Sequence, residues 1–207
     1  MSIKTQSVNK TAKITIIAIL GSLSAILMFF EIPLPFIAPD FYKLDFSELP
    51  VLIGGFCFGP LTALIIEVVK ILLILVLKGT ITMGVGELAN LAIGCSFVIP
   101  ATLIYKYNRT KFGAVVGMVV GTFCMTAFGA LANGIVLLPT YAAAFNMDIG
   151  AIVDMGKSIH KSIDSIFKFC LLTVAPFNFF KGIVTSIITY IVYKPLSKLI
   201  NNKFSTN

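Results

Sequence analysis

Asn178 and Lys181 stand one helical turn apart in Pro176-Phe177-Asn178-Phe179-Phe180-Lys181-Gly182, at the head of an apolar run that continues to Tyr193. Ionisable and amide groups at membrane depth are costly, and they face a cavity or a partner rather than lipid. An asparagine amide both donates and accepts hydrogen bonds, whereas a lysine ammonium only donates. Beside aromatic rings, this chemistry suits reversible binding of a flat organic molecule with polar edges. Three further polar sets lie in apolar runs. Glu67 and Lys70, at i and i+3, share a helix face and read best as a self-neutralising structural pair. Glu87 and Asn90 share a face near the start of another helix and read equally as ligand contacts or as structure. Asn133, just before Leu137-Leu138-Pro139, fits either an interhelical hydrogen bond or a ligand contact.

Chemistry of other kinds lacks its residues. Cys57, Cys95, Cys124 and Cys170 are widely spaced, no Cys-x-x-Cys occurs, and His160 is the only histidine. Neither a metal centre nor a disulfide framework is expected, and the cysteines read as small buried apolar residues. There is no Gly-x-x-x-x-Gly-Lys-Ser/Thr loop for a nucleotide. Neither a Gly-x-Ser-x-Gly elbow nor a His/Glu metal motif appears. With no recognisable acid, base and nucleophile, an enzyme is not expected, and no cofactor is implied. No inverted repeat of broken helices marks a secondary transporter. The chain reads as a membrane binding protein without an engine of its own.

Membrane helices must position these residues. The chain has 207 residues, 57% hydrophobic and 12% charged, with mean hydropathy +0.98. A soluble domain carries about 25% charged residues. Several apolar runs approach the roughly 20 residues needed to cross a bilayer. These features predict an all-α integral membrane protein, one domain over 1–207, with six spans at 14–30, 49–58, 61–77, 85–105, 112–138 and 171–193. The second span is short and stops at Phe58-Gly59-Pro60, so it is expected to be tilted or buried in the bundle. The first follows a basic N-terminus without a small-residue cleavage site, and reads as a span rather than a signal peptide.

Charge then predicts topology. Lys4, Lys10 and Lys13 precede the first span, Lys106, Arg109 and Lys111 join the fourth and fifth, and Lys194, Lys198 and Lys203 come after the last. These three alternating regions contain no acidic residue. The positive-inside rule makes them cytoplasmic, with both termini inside. The net charge of +7 therefore reflects topology, and no basic patch with base-reading elements suggests nucleic acid. Lys181 lies roughly 20 Å above the Lys194 anchor at about 1.5 Å per residue, in the outer half of the membrane. The site is expected to open outward.

The connections and packing stripes carry further expectations. Residues 31–48 hold three prolines and should form a stiff loop without helix or strand, either a lid over a ligand or a structural loop. The Ser47 hydroxyl is placed to cap the second span. In the connection 139–168, Ile159, Ile163 and Ile166 predict one face of a short amphipathic helix on the outer surface, with His160 solvated on it. Gly113, Gly117 and Gly121 form a stripe for close helix packing within the bundle. In the first span, Ala18 with Ser22 and Gly21 with Ala25 form similar pairs, suited either to internal packing or to a partner subunit.

Five segments, in this order, carry a resemblance. They are Leu44-Asp45-Phe46-Ser47-Glu48-Leu49-Pro50, Gly59-Pro60 followed by Glu67-x-x-Lys70, Gly86-Glu87-Leu88-Ala89-Asn90, Asn133 followed by Val136-Leu137-Leu138-Pro139, and Pro176-Phe177-Asn178-Phe179-Phe180-Lys181-Gly182. Over nearly its whole length the chain resembles the substrate-binding S components of energy-coupling factor (ECF) vitamin transporters, most closely the riboflavin-specific members. The resemblance implies a six-helix fold in the cell membrane that captures riboflavin near the extracellular side. It implies that Asn133, Asn178 and Lys181 bind the flavin ring and that Leu44 and Asp45 of the first motif join the site. Tyr42 and Lys43 fall in a stretch that varies in the family. It further implies a transmembrane coupling subunit and two cytoplasmic ATPases as partners. Docking to the coupling subunit falls on Ala18, Ser22, Gly21 and Ala25, where serine replaces the second alanine of the family pattern.

The donors agree with that ligand. The flavin pyrimidine edge presents carbonyl, N–H and carbonyl groups, which asparagine amides and a lysine can match. Phe179 or Phe180 would support the ring, the Pro- and Phe-rich first loop would wall its dimethylbenzene end, and Glu87 and Asn90 are candidates for the sugar-like tail. Two alternatives remain at this level. One is an S component for pantothenate, folate or a similar vitamin. The other is an autonomous ion-coupled transporter with Glu67, Lys70 and Glu87 along its path.

Overall fold

Helices dominate the computed structural model, which describes residues 10–80 and 82–204, the stretch 194–204 as backbone. Lys4, and the side chains of Lys194, Lys198 and Lys203, lie outside the described residues. The elements run α1 (Lys10–Phe29), β1 (Ile32–Pro33), β2 (Lys43–Leu44), α2 (Glu48–Phe58), α3 (Pro60–Lys78), α4 (Val85–Tyr107) and α5 (Lys111–Ala132). A π-helical turn (Asn133–Leu137) leads into α6 (Leu138–Ala144), followed by α7 (Ile149–Ile159) and α8 (Ile166–Phe169). A second π turn (Cys170–Val174) opens α9 (Ala175–Phe204).

Among the described residues, five helical stretches are long and apolar enough to cross a membrane: Lys10–Phe29, Pro60–Lys78, Val85–Tyr107, Lys111–Ala144 and Ile166–Tyr193. The stretch starting at Ile166 takes in α8 and its π turn, so it begins five residues before the predicted start at 171. The short apolar helix α2 has 11 residues, about 16 Å at 1.5 Å each. It is central rather than peripheral, packing on α1, α3, α4 and α9. Val51, Leu52, Ile53 and Phe56 are all buried and join Ile66, Phe97, Val98 and Met118 in the main core. Apolar side chains such as Ile19, Leu23, Leu72, Phe123 and Ile187 stay exposed on the outer faces, where lipid would replace water.

Local chemistry sets the boundaries. Gly59 adopts φ 95°, a conformation that side-chained residues avoid, and Pro60 then starts α3 at N1. Thr110 caps α5 by accepting from the Gly113 amide at 3.0 Å. The glycine stripe of α5 meets the backbone of α4: a Cβ on Gly121 would lie 2.5 Å from the Phe97 carbonyl oxygen, and one on Gly117 would meet that of Ala101. This stripe is internal packing.

Three local expectations are corrected. The loop after α1 is not free of strand, since β1 and β2 pair antiparallel with Ile32 opposite Leu44 and Pro33 opposite Lys43. Its prolines do not prevent this because Pro33 sits at the end of a two-residue edge ladder. The amphipathic helix lies earlier than its isoleucines suggested: α7 ends at Ile159, buries Ile152, Val153 and Gly156, and leaves exposed His160 as its C-cap. Ile163 is buried in the turn beyond, and Ile166 belongs to α8. Of the cysteines, Cys170 is buried, Cys57 and Cys95 are half-buried and Cys124 is exposed on an apolar helix.

A Gly121→Leu variant tests the α4–α5 contact. Overpacking at this backbone crossing should cost about 1–3 kcal/mol and lower the melting temperature in detergent, while Val119→Leu on the exposed face of the same helix should leave it unchanged.

Candidate functional site

One end of the bundle encloses a cavity of about 490 Å³. Its walls come from the end of α1, the loop before α2, the end of α3, the start of α4, the π turn with α6 and α7, and the start of α9. Of the predicted binding residues, Asp45, Glu87, Asn90, Asn133, Asn178 and Lys181 all line it. Leu44 does not. It is buried beside Leu34, Ala38 and Phe177, because the strand pairing turns Lys43 to the exposed side and Leu44 inward.

The two asparagines meet through special backbone. Asn133 opens the first π turn, where an extra residue per turn re-aims side chains. Its Nδ2 donates to the Gly129 carbonyl at 2.8 Å, and its Oδ1 accepts from the Tyr42 hydroxyl at 2.6 Å. Gly129 also makes room for Asn178, whose amide occupies the space a side chain there would take. Asn178 is 4% exposed, and its Nδ2 is buried without a hydrogen-bond partner. Lys181, 8% exposed, donates to Asp45 Oδ2 at 2.8 Å. An ammonium has three N–H groups and an amide nitrogen two, so donors remain on Lys181, Asn133 and Asn178. Three residues with unused N–H groups therefore line the cavity.

The acidic partner is itself anchored. Asp45 Oδ1 accepts from the Ser47 amide at 2.9 Å. Burial pushes the Asp45 carboxyl up, but the Lys181 and Lys70 charges and the hydrogen bonds hold it down at about 2. Tyr42 goes the other way: burial, with smaller contributions from Cys170 and Tyr141, raises its phenol well above the ordinary value. It stays a neutral donor to Asn133.

Behind the wall lies a second charged node. Lys70 Nζ donates to Glu67 Oε1 at 2.5 Å, Glu48 Oε1 at 2.9 Å and Asn90 Oδ1 at 3.1 Å, with Ser47 Oγ at 3.3 Å. Lys70 and Glu67 are fully buried and Glu48 nearly so. The expected Glu67–Lys70 pair is thus the centre of a larger knot. Ser47 does not cap α2 with its side chain, as it was placed to do; its hydroxyl turns to Lys70, and its carbonyl accepts from Ser24 of α1.

Other assignments shift. Phe179 and Phe180 are each 38% exposed, with Phe179 against Phe123 outside the cavity. Phe177, at i−4 from Lys181, takes the inner face and lies 5.6 Å from the Tyr42 ring. The apolar wall comes only partly from the first loop (Phe41, Tyr42); Leu138, Tyr141, Phe145, Ile152 and Met155 supply the rest. Tyr42 is the residue that sequence reasoning passed over, and its signal was modest: one buried-type aromatic beside a motif of buried polar residues. In α1, Gly21 meets Val69 and Ala25 joins Met28, Ile71 and Ile74, so both serve internal packing. Ala18 and Ser22 are exposed.

Comparison with known proteins decides the family. The profile described as "ECF transporter, substrate-specific component" matches residues 12–193. The chain belongs to this family. It is therefore the substrate-specific component of a transporter, a multi-pass membrane protein and not an enzyme. The riboflavin transporter RibU of Staphylococcus aureus is 32% identical over 94% of this chain and 95% of its own. The riboflavin transporter FmnP of Bacillus subtilis is 27% identical over 96% and 98%. A solved S component of a bacterial ECF transporter superposes with a TM-score of 0.72 at 30% identity, covering 93% of this chain and 99% of that one.

Two outcomes are expected from the S component's charged knots. Lys70→Met strands two buried carboxyls and should cost about 3–5 kcal/mol, partly recovered in Lys70→Met with Glu67→Gln and Glu48→Gln. Asp45 has a folded value depressed from 3.8 to about 2, so its contribution is complete above 3.8 and fades as pH falls toward 2. Thermal melting across that window should show a loss of about 2 kcal/mol that Asp45→Asn lacks.

Proposed function

We propose that this chain captures riboflavin at the outer face of the cell membrane and hands it to an ATP-driven ECF importer as a single binding domain. The observation that carries this reading is the cluster of unused donors on Asn133, Asn178 and Lys181 at the buried end of an apolar cavity. A flavin presents two carbonyls and an N–H along one edge, and asparagine amides with a lysine ammonium carry the donors and acceptors that such an edge needs. Tyr42 and Phe177 flank that end with aromatic surface, and the α6–α7 side is apolar enough for the dimethylbenzene ring. A volume of about 490 Å³ falls within the range of about 300–1,000 Å³ usual for small-molecule sites. The names of the relatives, riboflavin transporters in each case, point the same way.

In this reading α2 counts as the second of six spans, and both termini are cytoplasmic. The alternating basic regions support that orientation. It puts the cavity, which lies at the end bearing the connections 30–47 and 79–84, on the outside. No nucleotide loop occurs in the sequence, so uptake needs partners: a membrane coupling subunit and two ATPases. Ala18 and Ser22 offer a small-residue surface on α1 for the coupling subunit.

Purification in detergent followed by riboflavin titration, read as quenching of flavin fluorescence, tests the assignment. Tight one-to-one binding is expected, and absence of binding at micromolar riboflavin would sink it. Asn178→Ala and Lys181→Ala should each weaken binding about 5- to 100-fold with the protein still folded; unchanged dissociation constants would remove these residues from the site.

A further inference from the structure

The cavity has a second polar end, and its charges are arranged differently. Lys43 and Lys78 line it there, each with a side chain 43% exposed, against 11% for Lys181 at the other end. Glu31, also lining the cavity and 17% exposed, sits between them. Its Oε2 accepts from Lys43 at 2.9 Å and its Oε1 from Lys78 at 2.8 Å. Both carboxylate oxygens are thus committed, one to each ammonium. Among the described residues that line the cavity, Glu87 adds a second carboxylate at this rim, and its Oε2 accepts from Thr80 at 3.0 Å and Thr82 at 3.1 Å. The two lysines are therefore balanced by two carboxylates, and hydroxyls of Thr80 and Thr82 stand beside them.

We infer that Glu31 is a specificity-determining residue: by holding Lys43 and Lys78 it keeps the cavity rim neutral and selects a neutral hydroxylated ligand tail over an anionic, phosphorylated one. A pair of lysines at a cavity mouth would by itself attract a phosphate. A phosphate arriving here meets a carboxylate already seated between the ammoniums. It must either displace Glu31, leaving that carboxylate without partners, or stand beside it against like-charge repulsion. A polyol tail meets neither penalty, because hydroxyls accept from lysine and donate to carboxylate without displacing either. Burial raises the Glu31 carboxyl, but the bonds from Lys78 and Lys43 bring it below its ordinary value, so it is ionised at neutral pH. The salt bridges also tie the first loop to the end of α3, a structural role that would affect every ligand alike; discrimination between tails separates the two roles.

This inference rests on the flavin reading of the site, and the probes are riboflavin and its 5′-phosphate ester, flavin mononucleotide. The dissociation constants of both are measured for the full chain in detergent at low and moderate salt. The wild type should prefer riboflavin. Glu31→Gln should improve the ester relative to riboflavin by about tenfold at low salt, a gain that shrinks as salt screens the lysines. Adding Lys43→Gln and Lys78→Gln to that variant should abolish the gain. Lys78→Gln alone, which makes the rim acidic, should weaken the ester selectively; this arm decides the matter if Glu31→Gln does not fold. An equal change for both flavins, or an unchanged ratio between them, overturns the role of Glu31. Failure of the wild type to bind either flavin would instead overturn the parent reading.

Discussion

A single buried ammonium, that of Lys70, holds the binding half of this molecule together. It is surrounded by Glu67 on its own helix, Glu48 at the start of α2, Asn90 on α4 and Ser47 at the end of the first loop. An ion in such a place is tolerable only with its partners in position, and each carboxylate needs the ammonium for the same reason. The knot therefore fixes where α2 starts relative to α3 and α4. Through Ser47 and Asp45 it also fixes the loop that closes over the cavity. Asp45 then reaches Lys181 on α9, so two ammoniums from helices far apart in sequence grip one short stretch of chain.

The other half of the site depends on irregular helix. Two π turns, at Asn133–Leu137 and Cys170–Val174, lie in the helical stretches that carry the two asparagines. Each inserts an extra residue into a helix turn, which rotates the succeeding turns and redirects side chains inward. Gly129 completes the arrangement by leaving a space that the Asn178 amide fills. The asparagines thus share one glycine: Asn133 bonds its carbonyl and Asn178 occupies its missing side chain. The order within the cavity, with donors at the sealed end and a charge-balanced rim, arises from which helix ends meet there.

Much of this was legible from residue types. Apolar runs marked the membrane-length helices, and the Phe58-Gly59-Pro60 stop marked the boundary between α2 and α3 because a positive φ and a proline N1 are local requirements. The i, i+3 spacing of Glu67 and Lys70 foretold a pair on one face. It could not foretell Glu48, Ser47 and Asn90, whose approach depends on tertiary packing. Local cues misled where a longer-range partner won. Ser47 had the type and place of a helix cap, yet Lys70 and Ser24 claimed its polar atoms. The isoleucines at 159, 163 and 166 had helical spacing, yet α7 ended at Ile159. Phe179 and Phe180 were as aromatic as Phe177, and only the rotation of α9 settled which ring faced inward.

By itself the sequence determined what is written in composition and short-range spacing: a helical membrane protein, its basic regions, the absence of a nucleotide loop, and the polar residues too costly to leave in lipid. The tertiary structure decided how those residues are shared. It committed the Asp45 carboxylate to Lys181, gave the Asn133 carbonyl to Tyr42, left the Asn178 nitrogen unpartnered, and seated Glu31 between Lys43 and Lys78. Hydrogen-bond partners 12 to 136 positions apart are set by packing. The donors available to a ligand are those that remain once that packing is satisfied.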